Sequence, residues 1–424
     1  MFAMKSRSAI VLLFILFLSN SSIAQLNWPV VNNTMKPWTR WWWQGSAVNK
    51  SDLAKNLDAY RKAGIGGVEL TPIYGAMGHE KEFINFLSKS WMEMLGYTLK
   101  QSKKLGLGVD LANGTGWPFG GPWIAEKDAS HTIYYKSYKV AARKSINENI
   151  VLSQEGFVRT ANGKPLDLKD LKKPLPANKD QQLLSIDQVQ YKEDLHPVMV
   201  MAYPENGIAE NITSKVDSSG KLTWSAGNKS TTVIALFTGL HGKIVERAAP
   251  GGEGYAIDHF SPSATKNYLK HFDNAFKGYD ISGLRSFFND SYEVDDARGQ
   301  SNWTASFLSE FKTRKKYKLE DHLPALFGLD DPEKNSQVLY DYRSVIDELL
   351  LEHFTITWKK WATARGAMVR NQSHGSPANT LDLYSVVDIP ETEGNDILRF
   401  KFASSAGNVS GKKLVSAEAA TWLN

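Results

Sequence analysis

An α/β chain closing into a (β/α)8 barrel of the TIM type is the fold this 424-residue sequence predicts. Three observations carry that expectation. Strand-like apolar runs alternate with amphipathic helical stretches over residues 40–121 and again over residues 255–417. The runs number eight, which is what a closed parallel barrel requires. Between the two blocks, residues 130–250 hold only short strand-like runs separated by turns rich in Lys, Pro, Asn and Ser, which predicts an inserted antiparallel β domain. A doubly wound sheet is disfavoured, because no G-x-G-x-x-G follows an early strand with an acid about twenty residues on.

The elements follow in order. Arg40–Gln44 is a short aromatic strand, and Ser51 can cap a helix through Ala63 with Leu53, Leu57 and Tyr60 on one face. Gly66–Leu70 is the second strand, stopped by Pro72. Lys89–Leu105 is a helix with Trp91, Leu95 and Leu99 at three-to-four spacing. Gly108–Asn113 is the third strand, and a glycine-rich loop, Gly114–Gly121, follows it. The insert reads as strands at Thr132–Val140, Pro197–Tyr203, Lys221–Trp224 and Thr232–Phe237. Alternation resumes with a fourth strand, Tyr255–Phe260, a helix from Ser263 to Phe276 and a fifth strand, Leu284–Asp290. Helical stretches cover Trp303–Tyr317 and Ser336–Ala364. Ala367–Gln372, Val386–Pro390 and Lys413–Ala417 are strands six to eight. The domain order expected is a leader over 1–24, barrel over 25–129, the β insert over 130–250 and barrel again over 251–424. The sequence stops at Asn424, so no eighth helix is expected to cover the last strand, as in a truncated barrel.

The leader has the pattern of a secretory signal. Lys5 and Arg7 open it, Ile10–Leu18 is its apolar run, and Ser22-Ile23-Ala24 offers small residues for cleavage. This predicts export to the periplasm, cell surface or medium, with no membrane span once the leader is removed. Apolar residues make up 42% and charged residues 22%, which excludes a disordered chain and a multi-span membrane protein. The formal charge is +5, two of it in the leader, and no basic stripe is clustered, so nucleic acid is not an expected partner. The run Lys312–Lys318 reads as a solvated helix face. With no cysteine, disulfides, thiolate metal sites and thiol nucleophiles are excluded. No G-x-S-x-G elbow is present for a serine hydrolase.

Barrel chemistry sits at the carboxyl ends of strands. Those ends offer Glu69, Asp110 and Asn113, Asp258 and His259, then Asn289, Asp290 and Glu293. Further round come Asn371, Gln372 and His374, then Asp388, Glu391 and Glu393, and finally Glu418. Carboxylates, amides and imidazoles around one mouth, with Trp42, Trp43, Trp117 and Trp123 nearby, form a sugar pocket on paper. Acids can protonate a glycosidic oxygen and activate water, amides can bind hydroxyls, and indoles can pack on a pyranose face. Singly, each acid also reads as a helix cap or salt-bridge partner, and His259 as a core histidine. Of Trp41-Trp42-Trp43, at least one indole must point inward as packing.

Several segments together resemble the N-terminal half of glycoside hydrolase family 106. They are Pro37-Trp38 with Arg40–Trp43, Gly67-Val68-Glu69, Gly108–Pro118 with its Gly-Thr-Gly-Trp-Pro core, Ala249–Gly254 and Ser416-Ala417-Glu418. Members of that family are exported bacterial α-L-rhamnosidases. The resemblance implies a (β/α)8 catalytic domain with accessory β domains, calcium in the active site and an inverting mechanism. Its members are usually much longer. Inverting hydrolysis needs an acid and a base about 6.5–9.5 Å apart across the sugar. The expected pair is Glu293 as general acid and Glu418 as general base, with Glu391 or Glu393 the next choice for the base. Expected substrate contacts are Trp42, Trp43, Glu69, Asn113, Trp117, His259, Asn371, His374 and Glu391, and expected calcium ligands Asp258, Asn289 and Glu393. The partner expected is a rhamnose-containing oligo- or polysaccharide. The rivals are a truncated barrel that binds sugar without turnover, and a glycosidase of different sugar specificity or retaining mechanism.

Overall fold

Seven parallel strands pair in chain order in one sheet of the computed structural model: β1 (Trp38–Gln44), β2 (Gly67–Ile73), β3 (Gly108–Ala112), β4 (Leu284–Asn289), β5 (Met368–Gln372), β6 (Ile389–Glu393) and β7 (Ser416–Glu418). The structure describes residues 30–160, 165–166, 186–294, 299–394 and 396–418. Laid flat, strands about 4.8 Å apart would put β1 and β7 about 29 Å from each other. Instead Arg40 on β1 lies 2.6 Å from Glu418 on β7. The sheet is therefore curled until its edges face each other. Among the described residues β1 and β7 do not pair, and a cleft lined by Trp38, Arg40, Val415 and Glu418 lies between them.

Alternation along the strands decides which side chains face which way. Trp41 and Trp43, Val68 and Leu70, Val109 and Leu111, Phe287 and Val369 share one parity and belong to the main hydrophobic core. The other parity carries Arg40, Glu69 and Asp110 in one register row, and Arg370, Gln372, Glu391, Glu393 and Glu418 on strands β5 to β7. The concave face is thus lined with charge. Helices cover the outside: α1 (Lys50–Lys62), α2 (Lys89–Leu105), α3 (Pro262–Phe276), α4 (Phe307–Lys315), α5 (Pro332–Leu349), α6 (Thr357–Thr363), α7 (Thr380–Val386) and α8 (Ile397–Val409). Ser88 caps α2 by accepting from the Trp91 amide, and Gly106, at φ +68°, ends it. Ser261 and Pro262 start α3 in the same manner, and Asp331 and Pro332 start α5. A π-helical segment, Leu350–Ile356, joins α5 to α6.

The predicted fourth strand does not join the sheet; β3 pairs directly with β4. Tyr255, Ala256 and Ile257 instead make isolated bridges to Ile244, Gly120 and Ala129. The Asp258 carboxylate then accepts from the Phe260 amide at 2.9 Å, turning the chain into α3. The seventh predicted strand is displaced, since Thr380–Val386 is helical and β6 runs over Ile389–Glu393. Among the described residues the curled sheet accordingly has seven paired strands where eight were expected. The expected lack of an eighth helix and the leader both lie outside the described residues. No described helix is long and apolar enough to cross a membrane.

Between β3 and β4 the chain forms antiparallel strands. Met199–Pro204 pairs with Thr231–Leu240, which pairs in turn with His131–Val140. Val200, Ala202, Val233, Ala235 and Phe237 build a separate core on one face of this sheet. Met201, Ile234 and Leu236, of opposite parity, join the main core and anchor the insert to the barrel side.

Candidate active site

Two layers of polar side chains fill the concave face. In the lower layer, Arg370 is almost wholly buried and pairs with Glu69, with Asp110 at 3.2 Å and with Glu391 at 3.1 Å. Arg40 forks onto Asp290, with contacts of 2.8 and 3.3 Å, reaches Glu418 at 2.6 Å and lies 3.4 Å from Glu69. Arg285 holds Asp110 from the other side and stacks on Trp38. Gln372 ties the last two strands together, donating to Glu391 at 3.0 Å and to Glu418 at 2.7 Å. Buried carboxylates persist here because each has a guanidinium or amide donor.

The upper layer stands at the carboxyl-end rim. Glu293, four residues beyond β4, accepts from Trp117 Nε1 at 3.0 Å and from Ser291 Oγ at 2.9 Å. Its φ of +30° is a strained value for a residue with a side chain. His374, two residues beyond β5, pairs with Glu393 at the end of β6. One ligand atom from each of Glu293, His374 and Glu393 lies within 4.8 Å of the others. Glu393 is also the register partner of Glu418 across β6 and β7. Glu293 and Glu418 therefore belong to the same rim.

The electrostatics differ by position. Burial pushes the Glu293 carboxyl above the usual carboxylate range, against the pull of Lys243 and the Ser291 hydroxyl. Burial also raises Glu418, with Arg40 opposing. The hydrogen bond from His374 lowers Glu393. For His374 burial works against protonation, but the Glu393 and Glu293 charges outweigh it and its pKa is raised.

The other expected site residues separate into rim and core. Trp42, on the concave parity of β1, is 37% exposed, and Trp117 is half-buried beside Glu293. Trp43 does not reach the rim; at 1% exposure it packs edge-on against Trp41 and Trp91. Asn113 is likewise buried, its amide oxygen accepting from Trp358 Nε1 at 2.8 Å. His259 lies in the core between Tyr292 and Phe354, and burial drives its pKa to about 3, so it stays neutral. Glu69 and Glu391 belong to the lower ion-pair layer rather than to the rim. Asn289 Nδ2 donates to Asn371 Oδ1 at 2.7 Å, and Asn371 Nδ2 donates to Ser373 Oγ at 2.7 Å. Asp258 is not gathered with Glu393, because it caps the turn before α3. Of the expected calcium ligands, only Glu393 is in the three-residue cluster.

Arg40 and Arg370 are the principal site residues that strand-end reasoning missed, whereas Gln372 and Asp290 were in the strand-end census without their arginine and carboxylate partners. A signal for the first two was present: each is an arginine on the strand parity opposite the apolar residues, in Trp38–Gln44 and Met368–Gln372.

A curled parallel sheet with carboxylates and indoles gathered on its carboxyl-end rim has the groups that glycoside hydrolysis uses. The chain belongs to glycoside hydrolase family 106, described as alpha-L-rhamnosidase, whose profile matches residues 30–204 and 204–424. It is 25% identical over 416 residues to a protein of Formosa agariphila named "Putative beta-glucuronidase", an overlap of 92% of this chain and 34% of that one. Its fold matches the rhamnosidase structure from Novosphingobium sp. PP1Y with a TM-score of 0.64 at 17% identity, covering 91% of this chain and 52% of that one. The chain thus spans about a third and about half of these two relatives.

Proposed function

We propose that the protein is an inverting α-L-rhamnosidase acting on rhamnose-containing glycans, with Glu293 as general acid and Glu418 as general base. The observation that carries this reading is the shared rim: carboxyls from beyond β4 and from the end of β7, linked through His374 and Glu393, face one concave space. Glu293, whose burial favours its protonated form, gives its proton to the glycosidic oxygen as the C–O bond breaks. Glu418 takes a proton from a water that attacks the anomeric carbon from the opposite face. Arg40 at 2.6 Å and the Gln372 amide hold the Glu418 carboxylate in place. The test is proton NMR of the sugar first released from an aryl α-L-rhamnoside. Inversion gives the β anomer first; first release of the α anomer excludes this mechanism.

Calcium fits the rim only in part. Glu293 and Glu393 offer hard oxygens, which calcium takes, but His374 offers nitrogen and is paired with Glu393. Calcium held there by Glu393 and its neighbours would supply a positive charge that binds sugar hydroxyls. Loss of sugar affinity on chelation, restored by added calcium, supports that role; unchanged affinity removes it. Export through the leader at residues 1–24 is part of the same proposal, and a mature N-terminus near Gln25 tests it. A second reading, removal of a different sugar, is favoured by the name of the Formosa relative.

A further inference from the structure

Arg247 stands over Trp117, the indole that bonds the proposed general acid, and no described carboxylate pairs with it. Its guanidinium carbon lies 5.3 Å from the ring centroid of Trp117, the indole that donates to Glu293. Its Nε is buried and has no hydrogen-bond partner, and no carboxylate among the described residues pairs with it. The neighbouring acid, Glu246, is committed to the buried Lys243 at 2.6 Å.

The placement is built rather than incidental. The Arg247 carbonyl accepts from the Tyr74 amide just beyond β2, at 2.7 Å. The Glu246 amide donates to the Trp117 carbonyl just beyond β3, also at 2.7 Å. Arg247 adopts φ +53°, a left-handed value that a branched or long side chain holds only when its surroundings impose it. Gly116 lets this approach happen, since a Cβ there would collide with the Glu246 carbonyl oxygen. Two segments from the carboxyl-end rim thus pin the chain at Glu246–Arg247 and set one arginine against one indole. A guanidinium is a planar fork that matches a carboxylate in two parallel hydrogen bonds.

We infer that Arg247, seated on Trp117, is a recognition site for the carboxylate of a uronic acid unit in the glycan. The inference rests on the proposed glycan-binding role of the rim and names the acidic sugar it accepts. The experiment is calorimetric titration of the protein with D-galacturonate and D-glucuronate, their methyl esters, and a sulfated monosaccharide. Arg247→Met and Arg247→Lys variants are titrated in parallel. At least one uronate is expected to bind about tenfold more tightly than its ester. That margin should vanish in Arg247→Met and return in part in Arg247→Lys. If Arg247→Met does not fold, the acid-against-ester comparison on the unaltered protein still decides. Equal binding of acid and ester overturns the inference while leaving the rim a sugar site. A margin that persists in Arg247→Met overturns the assignment to Arg247. Tighter binding of the sulfated sugar overturns the choice of carboxylate. Binding of none of these sugars, together with no binding of L-rhamnose, overturns both the inference and the glycan reading beneath it.

Discussion

Arg370 carries a full charge into a place with almost no water, which is tolerable only because Glu69, Asp110 and Glu391 surround it. Burial lowers its pKa, so the pairing must compensate for lost hydration. Replacing it with Met takes one guanidinium partner from each of three buried carboxylates. We expect Arg370→Met to cost about 3–5 kcal/mol in urea denaturation. A variant as stable as the unaltered protein would show that the layer is not held by this residue. Asp258 makes a different prediction. Burial raises its pKa from 3.8 to about 7. The folded state therefore binds this proton more tightly than the unfolded state does. The associated stability is complete below pH 3.8 and is lost as pH rises through about 7. Relative to Asp258→Asn, the unaltered protein should lose stability across that window and stay level above it. A constant difference between the two in thermal unfolding from pH 4 to 8 would contradict the shift. At this scale the sequence was legible for Glu293, His374 and Glu393, whose positions just past strand ends bring them together. It was not legible for Trp43, Asn113 and His259, whose chemistry suits a pocket as well as a core, and which tertiary packing placed in the core.

The loop after β3 is the element that connects fold to chemistry. Gly116, at φ +81°, allows Trp117 to run beside Glu246 and to aim its Nε1 at Glu293. Gly116→Ala meets both a strained dihedral and a collision with the Glu246 carbonyl. The expected loss is about 1–3 kcal/mol of stability, read from the unfolding midpoint. An unchanged midpoint would mean that the loop relaxes and that the close approach is not required. Trp117→Phe keeps the packing but removes the donor to Glu293. Its expected effect is a change in the pH–rate profile with little change in thermal midpoint, and an unaltered profile would detach Trp117 from the acid. Helices were largely readable because three-to-four spacing is local, as in Lys89–Leu105, although α1 is capped by Asn49 and not by Ser51 as expected. The run Tyr255–Phe260 misled because its apolar composition suits a strand, while its hydrogen bonds join Phe119, Gly121, Asp128, Ser130 and Lys243 instead of the sheet.

Over the whole molecule, the curl of the sheet creates the site. Apolar residues of one parity pack against helices, and charged residues of the other parity converge on the concave face. A row of unpaired acids there would repel, so Arg40, Arg285 and Arg370 are part of what lets the sheet close around them. Arg40 also spans the two edges, from β1 to Glu418 on β7. The alternation of strands and helices revealed the parallel α/β architecture and the antiparallel interruption. It placed Tyr255–Phe260 in the sheet, which among the described residues it does not join, because strand membership depends on long-range pairing that no local pattern records. The rim's acids were legible as a census of strand ends; their guanidinium partners were hidden inside strands that read as apolar.

The central claim is that Glu293 and Glu418 work as a pair across one sugar. Its most direct test is kcat for an aryl α-L-rhamnoside in the unaltered protein, Glu293→Gln and Glu418→Gln, with folding of each verified by circular dichroism. The account predicts a fall of about a hundredfold or more in each variant. Turnover within about threefold of the unaltered protein in both variants, against that hundredfold scale for a lost acid or base, would contradict it.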